Sequence, residues 1–290
     1  MTRTIDPGGE TVAAPSFPGS PRARDRSDAL TPAAVQRFLR SPVFGHRILS
    51  YPTLSSTNDR AAELAAAGEP EGTVVIAEEQ TAGRGRRQRS WSSGAGLGIY
   101  ASLILRPRIE APRAPLFTLM AAVATTEALR DTCALDARIK WPNDVLVGPR
   151  KIAGILGEVR GADPLIRELV VGMGVNVGHR HEDFPPELRQ RATSVRIEAA
   201  REPERAPILA ALLEGFERRY SRLLAHGSAD LLREWETLSS MAPGCRVLVQ
   251  GPAGPTEGML LGVDDQGALL LEHGERDALR VAFGEVVEPV

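Results

Sequence analysis

The sequence predicts an α+β protein, in which helices pack on a mixed, mostly antiparallel sheet and a small β-barrel follows. Strand and helix patterns mix between residues 51 and 240 without a regular alternation. Several neighbouring strand patterns are separated only by short turns such as VGPRK at residues 147–151, which favours antiparallel pairing. After residue 241 the pattern changes to short strands broken by glycine- and aspartate-rich turns, which suits a five-stranded barrel.

Three organisational units are expected along the chain. Residues 1–28 are rich in Pro, Gly, Ser, Arg and Asp without periodicity and predict a disordered leader. Residues 29–240 predict the large domain, and residues 241–290 predict the small one. Thr31 followed by Pro32 resembles the start of a short helix that runs through Leu39.

The individual elements of the large domain follow from apolar periodicity. The strand patterns are TVVIAEE (73–79), GIYASLIL (98–105), DVLV (144–147), KIAGILGEV (151–159) and ELVVGMGVNV (168–177). The helix patterns are residues 58–68, 115–132, 207–227 and 228–239, the last with Ser228 as its N-cap. We expect these helices to cover one face of the sheet. In the small domain the strand patterns are residues 245–250, 257–265, 267–272 and 278–287.

Composition limits the classes of function. The 290 residues are 42% hydrophobic and 25% charged, which is enough to bury a sizeable core. A net charge of -2 gives no general attraction to nucleic acid or to an anionic membrane. No apolar run approaches the roughly eighteen residues of a membrane span, and the first residues do not resemble a secretory signal. We therefore expect a cytoplasmic protein, with Cys133 and Cys245 as reduced core thiols.

Lysine is almost absent from this chain. Of 35 basic side chains only Lys140 and Lys151 are lysine, and both lie within the stretch KWPNDVLVGPRK. Lysine is a compact point charge, whereas arginine is a wide planar fork, so a chain that otherwise uses arginine is expected to keep lysine where the fork does not fit. This indicates a chemical role for residues 140–151, against the alternative that two lysines remain by chance.

Residues 83–91, GRGRRQRSW, predict an anion-binding loop. Arg84, Arg86, Arg87 and Arg89 can each donate in a fork to phosphate or carboxylate oxygens, and the interleaved glycines let the backbone approach a ligand. A solvated basic turn is the alternative for this run alone. Nucleic acid is a weaker candidate ligand, because no basic face matches the loop and the chain has only seven Phe, three Tyr and three Trp.

Two further stretches contain candidate site residues. In SSTND, Ser56, Thr57 or Asn58 begins a helix and presents polar groups, although Thr57 is explained equally well as an N-cap. The strands 151–159 and 168–177 contain Gly154, Gly172 and Gly174, whose missing side chains permit a flat ligand to lie against the backbone. Bulges or close strand packing are the alternative explanation for these glycines.

Together these stretches resemble the biotin protein ligase family, which joins biotin to a lysine of biotin-dependent carboxylases and decarboxylases. The resemblance covers residues 45–290 and rests on the order of five motifs: STN (56–58), EEQTAGRGRRQRSW (78–91), KWPND (140–144), KIAGILGE (151–158) and GMGVN (172–176). It implies a catalytic domain of the type shared with lipoate ligases and distantly with class II aminoacyl-tRNA synthetases. It also implies a C-terminal SH3-like barrel that contains GALLLE (267–272). Gln88 departs from the pattern, because the family loop usually has a glycine at this position.

The resemblance also implies roles for individual residues. Lys151 and Arg86 would be catalytic, and Asp144 would help to hold magnesium or, as an alternative, be a buried structural carboxylate. Arg89 and Lys140 would be second-line charges. The residues implied to bind biotin are Ser56, Thr57, Asn58, Gln80, Gly83, Arg84, Gly85, Arg86, Lys151, Gly154, Gly172 and Gly174. Those implied to bind ATP or the adenylate are Arg89, Trp91, Asn143 and Asn176.

The implied reaction uses ATP and Mg²⁺ to form biotinyl-5'-AMP and then transfers biotin to a lysine of a biotin carboxyl carrier protein or carrier domain. No nucleic acid or membrane partner is expected. A lipoate-protein ligase is the first alternative, and a biotin-binding regulator is the second. A regulator needs a DNA-reading domain, and we expect the residues before Phe44 to be too few for a three-helix unit. The expected form is therefore monofunctional.

Overall fold

Seven strands form one mixed sheet in the order β1-β2-β3-β7-β6-β5-β4, as seen in a computed structural model that describes residues 29–162, 164–199, 202–251, 254–273 and 277–288. The predicted leader, residues 1–28, lies outside the described residues. Only β1 and β2 pair in parallel, and every other neighbouring pair is antiparallel, so the α+β fold with a mostly antiparallel sheet is confirmed. The strands are β1 (Ile48–Leu54), β2 (Val74–Gln80), β3 (Gly98–Leu105), β4 (Ala137–Lys140), β5 (Asp144–Val147), β6 (Arg150–Ala162) and β7 (Ile166–Asn176).

The sequence patterns located the central strands better than the edges. Strands β3 and β5 have the predicted bounds, and β2, β6 and β7 differ by one to three residues at either end. The patterns missed β1 and β4, the two edge strands. Strand β1 contains Pro52 and has one buried residue among seven, and β4 (ARIK) has two charged residues among four, so neither carries a strong strand pattern.

Helices lie on both faces of the sheet, so the prediction that they cover one face is wrong. Helices α3 and α5 pack over the face that presents Val74 and Ile76. Helix α2 packs against the opposite face, where Ala61 and Ala65 meet Val75 and its neighbours on β3 and β7. Successive side chains of a strand point to opposite faces, so the fully apolar strands serve two cores. The helices are α1 (Pro32–Gln36), α2 (Thr57–Ala66), α3 (Pro115–Cys133), α4 (Val195–Ala199), α5 (Arg205–His226) and α6 (Ala229–Leu238).

Two helix ends differ from the prediction. Thr31 caps α1 as expected, but the helix ends at Gln36 and not at Leu39. Ser228 precedes α6 without capping it, because its hydroxyl donates to the carbonyl oxygen of Asp265 at 2.9 Å. None of the helices in the described residues is long and apolar enough to span a membrane. Both cysteines are free thiols: Cys133 is buried and Cys245 is partly buried.

The C-terminal segment forms a second, antiparallel sheet of five strands in the order β11-β10-β9-β8-β12. The single pattern predicted at residues 278–287 is two strands, since the chain turns at residues 282–284 and β12 returns to pair with β8. The strands are β8 (Arg246–Gly251), β9 (Gly254–Val263), β10 (Leu269–His273), β11 (Asp277–Val281) and β12 (Glu285–Glu288). The SH3-like barrel stays a prediction, as does the domain boundary at residue 241.

Candidate functional site

A cavity of about 670 Å³ lies between the large sheet, the arginine loop at residues 83–91 and the C-terminal sheet. Seven cationic and two anionic side chains line the cavity, which is a surplus of five positive charges. The chain as a whole has a net charge of -2, so the cavity lining is opposite in sign to the rest of the protein. Such a surplus around one cavity attracts anionic ligands. The charged lining residues are Arg84, Arg86, Arg87, Arg89, Lys140, Lys151, Arg191, Asp144 and Glu285.

One end of the cavity is neutral and is fixed by hydrogen bonds between side chains. The backbone N–H and the hydroxyl of Thr57 both donate to Gln80 Oε1, at 2.8 and 3.0 Å. The amide of Gln80 donates to Ser93 Oγ at 2.9 Å, and Ser102 Oγ lies 2.8 Å from Thr57 Oγ1. Ser56 is the N-cap of α2. The predicted residues of this end are therefore brought together, in orientations set by helix α2 and strand β2.

Ser93 and Ser102 belong to this network and were not predicted. Ser102 is fully buried in the centre of β3. The sequence alone could have indicated the role of Ser102. A single serine in the apolar run GIYASLIL needs a hydrogen-bond partner when the strand is buried.

Asn58 is held entirely by the protein. Its Nδ2 donates to the carbonyl oxygen of Leu156 at 3.2 Å and to Glu158 Oε2 at 2.8 Å, and its Oδ1 accepts from Ser102 Oγ at 2.6 Å. Both amide hydrogens are thus used. A Cβ atom at Gly172 would lie 2.1 Å from Asn58 Oδ1, so this glycine provides the space for Asn58.

The other two strand glycines face Trp91. Gly154 and Gly174 are paired across β6 and β7, and a Cβ atom at either would lie 3.0 or 2.6 Å from the indole ring. The flat group on this glycine surface is therefore a side chain of the protein. Lys151 Nζ lies 5.4 Å from the centre of the Trp91 ring, on the cavity side. In the described residues the indole Nε1 has no hydrogen-bond partner.

The arginine loop is a tight hairpin. The Trp91 N–H donates to the Gly83 carbonyl oxygen at 2.8 Å, and the Gly85 N–H donates to the Arg89 carbonyl oxygen at 2.7 Å. A Cβ atom at Gly83 would lie 2.6 Å from the Trp91 carbonyl oxygen, so only glycine fits there. At the tip, Arg87 and Gln88 have φ values of 54° and 59°, in the left-handed region. Gln88 thus adopts a backbone conformation that favours the glycine it replaces in the motif.

The loop arginines differ in what they bind. Arg84 donates to the carboxylates of Asp59 and Glu158, and Arg89 forms a two-point ion pair with Glu285 of the C-terminal sheet. Arg87 donates to the carbonyl oxygen of Gln250. Three of the four are thereby attached to distant parts of the chain.

Arg86 has only neutral partners among the described residues. Its guanidinium donates to Asn143 Oδ1 and to the Gly284 carbonyl oxygen, both at 3.2 Å. Burial lowers the pKa of the Arg86 guanidinium below its usual value, and the positive charge of Arg87 adds to this effect. A partly desolvated cation without a carboxylate partner is suited to binding an incoming anion.

Lys151 lies at the cavity wall beside Asp144, with 2.6 Å between Nζ and Oδ1. Lys140 also lines the cavity. Asp144 is thus the counterion of Lys151. Across the described part of the chain no three His, Cys, Asp or Glu side chains lie together as a metal site.

The two predicted asparagines are buried beside the cavity and are attached to the backbone. Asn143 Nδ2 donates to the carbonyl oxygen of Ile155 at 2.9 Å, and Asn176 Nδ2 donates to that of Thr193 at 3.0 Å.

The C-terminal sheet contributes to the cavity, which sequence reasoning missed. Gln250, Glu285, Val286 and Val287 line it together with the large sheet. The contact joins segments about 160 to 200 residues apart, as in the 196-residue separation of Arg89 and Glu285. No local pattern encodes such a pairing.

Comparison with known proteins identifies the class. Residues 50–176 match the model of the biotin/lipoate A/B protein ligase family. The chain is 38% identical over 246 residues to the bifunctional ligase/repressor BirA of Bacillus subtilis, which covers 85% of this chain and 75% of the relative. It is 33% identical over 272 residues to the biotin–[acetyl-CoA-carboxylase] ligase of Mycobacterium tuberculosis, with coverage of 90% and 97%.

A solved structure supports the same class. The biotin protein ligase from Aquifex aeolicus in complex with biotin and ATP has a TM-score of 0.71 and 27% identity, covering 83% of this chain and 97% of that one. The fold is thus that of a biotin/lipoate-type ligase. Within that class, the chain belongs to the biotin protein ligase family.

Proposed function

We propose that this protein activates biotin with ATP to biotinyl-5'-AMP and transfers the biotinyl group to a lysine of a biotin carboxyl carrier protein or domain. The observation that carries this is the division of one cavity into a neutral hydrogen-bonding end and an end with surplus positive charge. Biotin has a neutral fused ring with a ureido group at one end and a carboxylate at the other. The relatives named as biotin ligases support the same assignment.

Biotin binds with its fused ring towards Thr57 and Gln80. These short polar groups are held in place by their own hydrogen bonds, so binding does not require them to be ordered first. The apolar part of the ring packs against the cavity wall near Met173 and Tyr100. The carboxylate then points towards Arg86 and Lys151.

The first step brings two anions together. A carboxylate oxygen of biotin attacks the α-phosphorus of ATP, the new O–P bond forms, and the bond to the pyrophosphate leaving group breaks. Arg86 and Lys151 lower the electrostatic cost, because fixed cations in a site of restricted water are more effective than cations in solution. Trp91, Asn143 and Asn176 border the nucleotide.

The second step transfers the biotinyl group to the carrier protein. The neutral ε-amine of the acceptor lysine attacks the acyl carbon, the bond between this carbon and the AMP oxygen breaks, and the nitrogen loses a proton. The hairpin at residues 83–91 covers the cavity and limits hydrolysis of the mixed anhydride by water.

Magnesium fits the site only when it binds together with the phosphates of the nucleotide. Asp144 supplies one carboxylate beside Lys151, and Mg²⁺ usually takes one or two carboxylates with substrate phosphates. When bound, the ion neutralises phosphate charge. The absence of a three-ligand cluster in the described residues agrees with this mode of binding.

The domain assignment and the location are parts of the same proposal. Residues 29–240 form the catalytic domain, and residues 241–290 form a small domain that completes the nucleotide end of the cavity. A cytoplasmic location agrees with two free thiols and with the proposed carrier protein.

The decisive test is incubation with ATP, Mg²⁺, labelled biotin and a biotin carboxyl carrier domain, followed by mass spectrometry of the carrier. We expect one biotinyl group on one lysine, and no product without ATP. A lipoate-protein ligase is the remaining alternative. A larger thermal shift with lipoate plus ATP than with biotin plus ATP would assign the protein to that function.

A further inference from the structure

Two carboxylates from different elements hold the first arginine of the hairpin. Arg84 Nη1 and Nη2 donate to the two oxygens of Glu158 on β6, at 3.0 and 2.8 Å. Arg84 Nη2 also donates to Asp59 Oδ1 in the first turn of α2, at 2.6 Å. Three N–H groups of one guanidinium are thus directed at the protein's own carboxylates. Single exposed ion pairs contribute little, but a bidentate pair shared with a second carboxylate is more specific in geometry.

Glu158 has a second partner in the neutral end of the cavity. Its Oε2 accepts from Asn58 Nδ2 at 2.8 Å, and Asn58 in turn accepts from Ser102. One carboxylate therefore joins the hairpin to the hydrogen-bond network that contains Thr57 and Gln80.

Arg84 lies at the root of the hairpin, where it forms an isolated β-bridge with Ser90. Residues 85–89 project from this root, and their path places Arg86 over the cavity. Arg84 therefore fixes the hairpin at its root, while the contacts of Arg86 with Asn143 and Gly284 hold the guanidinium itself. We propose that Glu158, with Asp59, is a positioning residue for biotin binding: it touches no substrate, and it holds Arg84 so that the hairpin closes in register with the biotin pocket. This inference rests on the proposed function and assigns Arg84 chiefly to anchoring.

The test is Glu158→Gln. The amide keeps a carbonyl oxygen for Asn58 and removes the charge that holds Arg84. Glu168→Gln is the matched control, because Glu168 lies on the adjacent strand β7, pairs with Arg106 at 2.9 Å and has a similar exposure, 20% against 22% for Glu158. The contact of Glu168 is outside the cavity lining.

We expect Glu158→Gln to raise KM for biotin by about tenfold with kcat within about threefold of wild type, because saturating biotin and ATP still engage Arg86 and restore the closed hairpin. Glu168→Gln should leave both constants unchanged and lower the melting temperature as much as Glu158→Gln does. In an Arg84→Ala background, Glu158→Gln should have no further effect on KM, because the two residues act as one unit. Multiplicative effects of the two substitutions would overturn the proposal, as would an unchanged KM.

A second measurement does not depend on activity. Hydrogen exchange at the amides of Gly85 and Trp91, which close the hairpin, should be faster in Glu158→Gln than in wild type and unchanged in Glu168→Gln. Equal exchange in wild type and Glu158→Gln would rule out the anchor. If the wild-type protein fails to biotinylate a carrier domain, the proposed function fails, and this exchange result still decides whether Glu158 anchors the hairpin.

Discussion

The two ends of the cavity are built in different ways. The neutral end is made of side chains on regular elements, such as the buried Thr57 on α2 and Ser102 on β3 and the half-buried Gln80 on β2. The cationic end is made by a hairpin whose arginines are partly exposed and are attached to other segments by ion pairs and backbone carbonyls. The first end is fixed by the fold, whereas the second depends on contacts that form only after distant segments come together.

This difference has a chemical reason. A ring with a fixed set of donors and acceptors is recognised best by groups that do not move, because their ordering cost has been met on folding. Two anions must enter and pyrophosphate must leave, so cations on a hairpin with few apolar contacts suit the other end. Substitutions in the cationic end should therefore affect chemistry and nucleotide binding more than protein stability.

The largest expected effect is that of Lys151→Arg. Lys151 Nζ lies between Asp144 and the face of Trp91, a space that holds a compact ammonium, so the wider guanidinium displaces one of these neighbours. We expect formation of biotinyl-5'-AMP to fall by about 100-fold or more, with an unchanged melting temperature. Pyrophosphate release measures the first step directly.

Lys140→Arg is the companion variant and should retain substantial activity. Lys140 lines the cavity but forms no ion pair with another cavity residue in the described part of the chain, and we place it outside direct contact with the ligands. Equal losses of adenylate formation in Lys151→Arg and Lys140→Arg would contradict the placement of Lys151 alone in direct contact with the ligands.

Arg86→Ala should produce the second-largest effect. Arg86 is the least exposed of the four hairpin arginines and has no carboxylate partner among the described residues. Its removal deletes a cation that both forms and holds the adenylate. We expect a decrease of about 10- to 100-fold in adenylate formation and faster release of biotinyl-5'-AMP in a filter-retention assay. Arg138→Ala, which removes an arginine outside the cavity lining, is the control, and retention equal to that of the control would contradict the assignment.

The same contrast explains what the sequence could predict. The run GIYASLIL identified β3 to the residue because a strand buried on both faces is apolar throughout. The motifs located Thr57, Gln80 and the arginines, since each motif is local. The partners of the hairpin could not be predicted from the sequence. Arg86 donates to the carbonyl oxygen of Gly284, which is 198 residues away, and Glu158 has the sequence pattern of an ordinary charge near the end of a strand. Likewise, helix α2 packs on the opposite face of the sheet through small alanines, and these give little indication in the sequence of which face the helix covers.

Glu285→Gln tests the contact between the hairpin and the C-terminal sheet. Burial raises the pKa of Glu285, but the hydrogen bond and charge of Arg89 outweigh it, and the pKa lies below its ordinary value of 4.5. We expect KM for ATP to rise by about threefold with biotin binding unchanged, because this partly exposed pair contributes modestly. Glu257→Gln, which breaks a pair with Arg246 within the C-terminal sheet, is the control.

The pH dependence of stability gives an independent measure of this pair. A carboxylate whose pKa is lower in the folded than in the unfolded protein stabilises fully above the unfolded value and loses this effect as the pH falls through the folded value. The difference in melting temperature between wild type and Glu285→Gln should therefore be constant above about pH 5 and shrink below pH 4.5. A difference that grows as the pH falls would contradict the assigned pair.

The smallest effect is expected at Gln88, at the tip of the hairpin. Its left-handed φ of 59° costs a non-glycine residue about 1 kcal/mol, and glycine removes this cost while making the open hairpin more flexible. These two changes oppose each other, so Gln88→Gly should alter KM for biotin and ATP by less than about twofold. Gln88→Val provides the contrast, because a β-branched side chain is strongly disfavoured in this region and should raise both KM values. The melting temperatures should stay within about 2 °C of wild type, since the tip is exposed and contributes little to either core. Equal kinetics in the glycine and valine variants would mean that the hairpin abandons this conformation when it binds substrates, and the cationic end would then be assembled by the ligands and not by the fold.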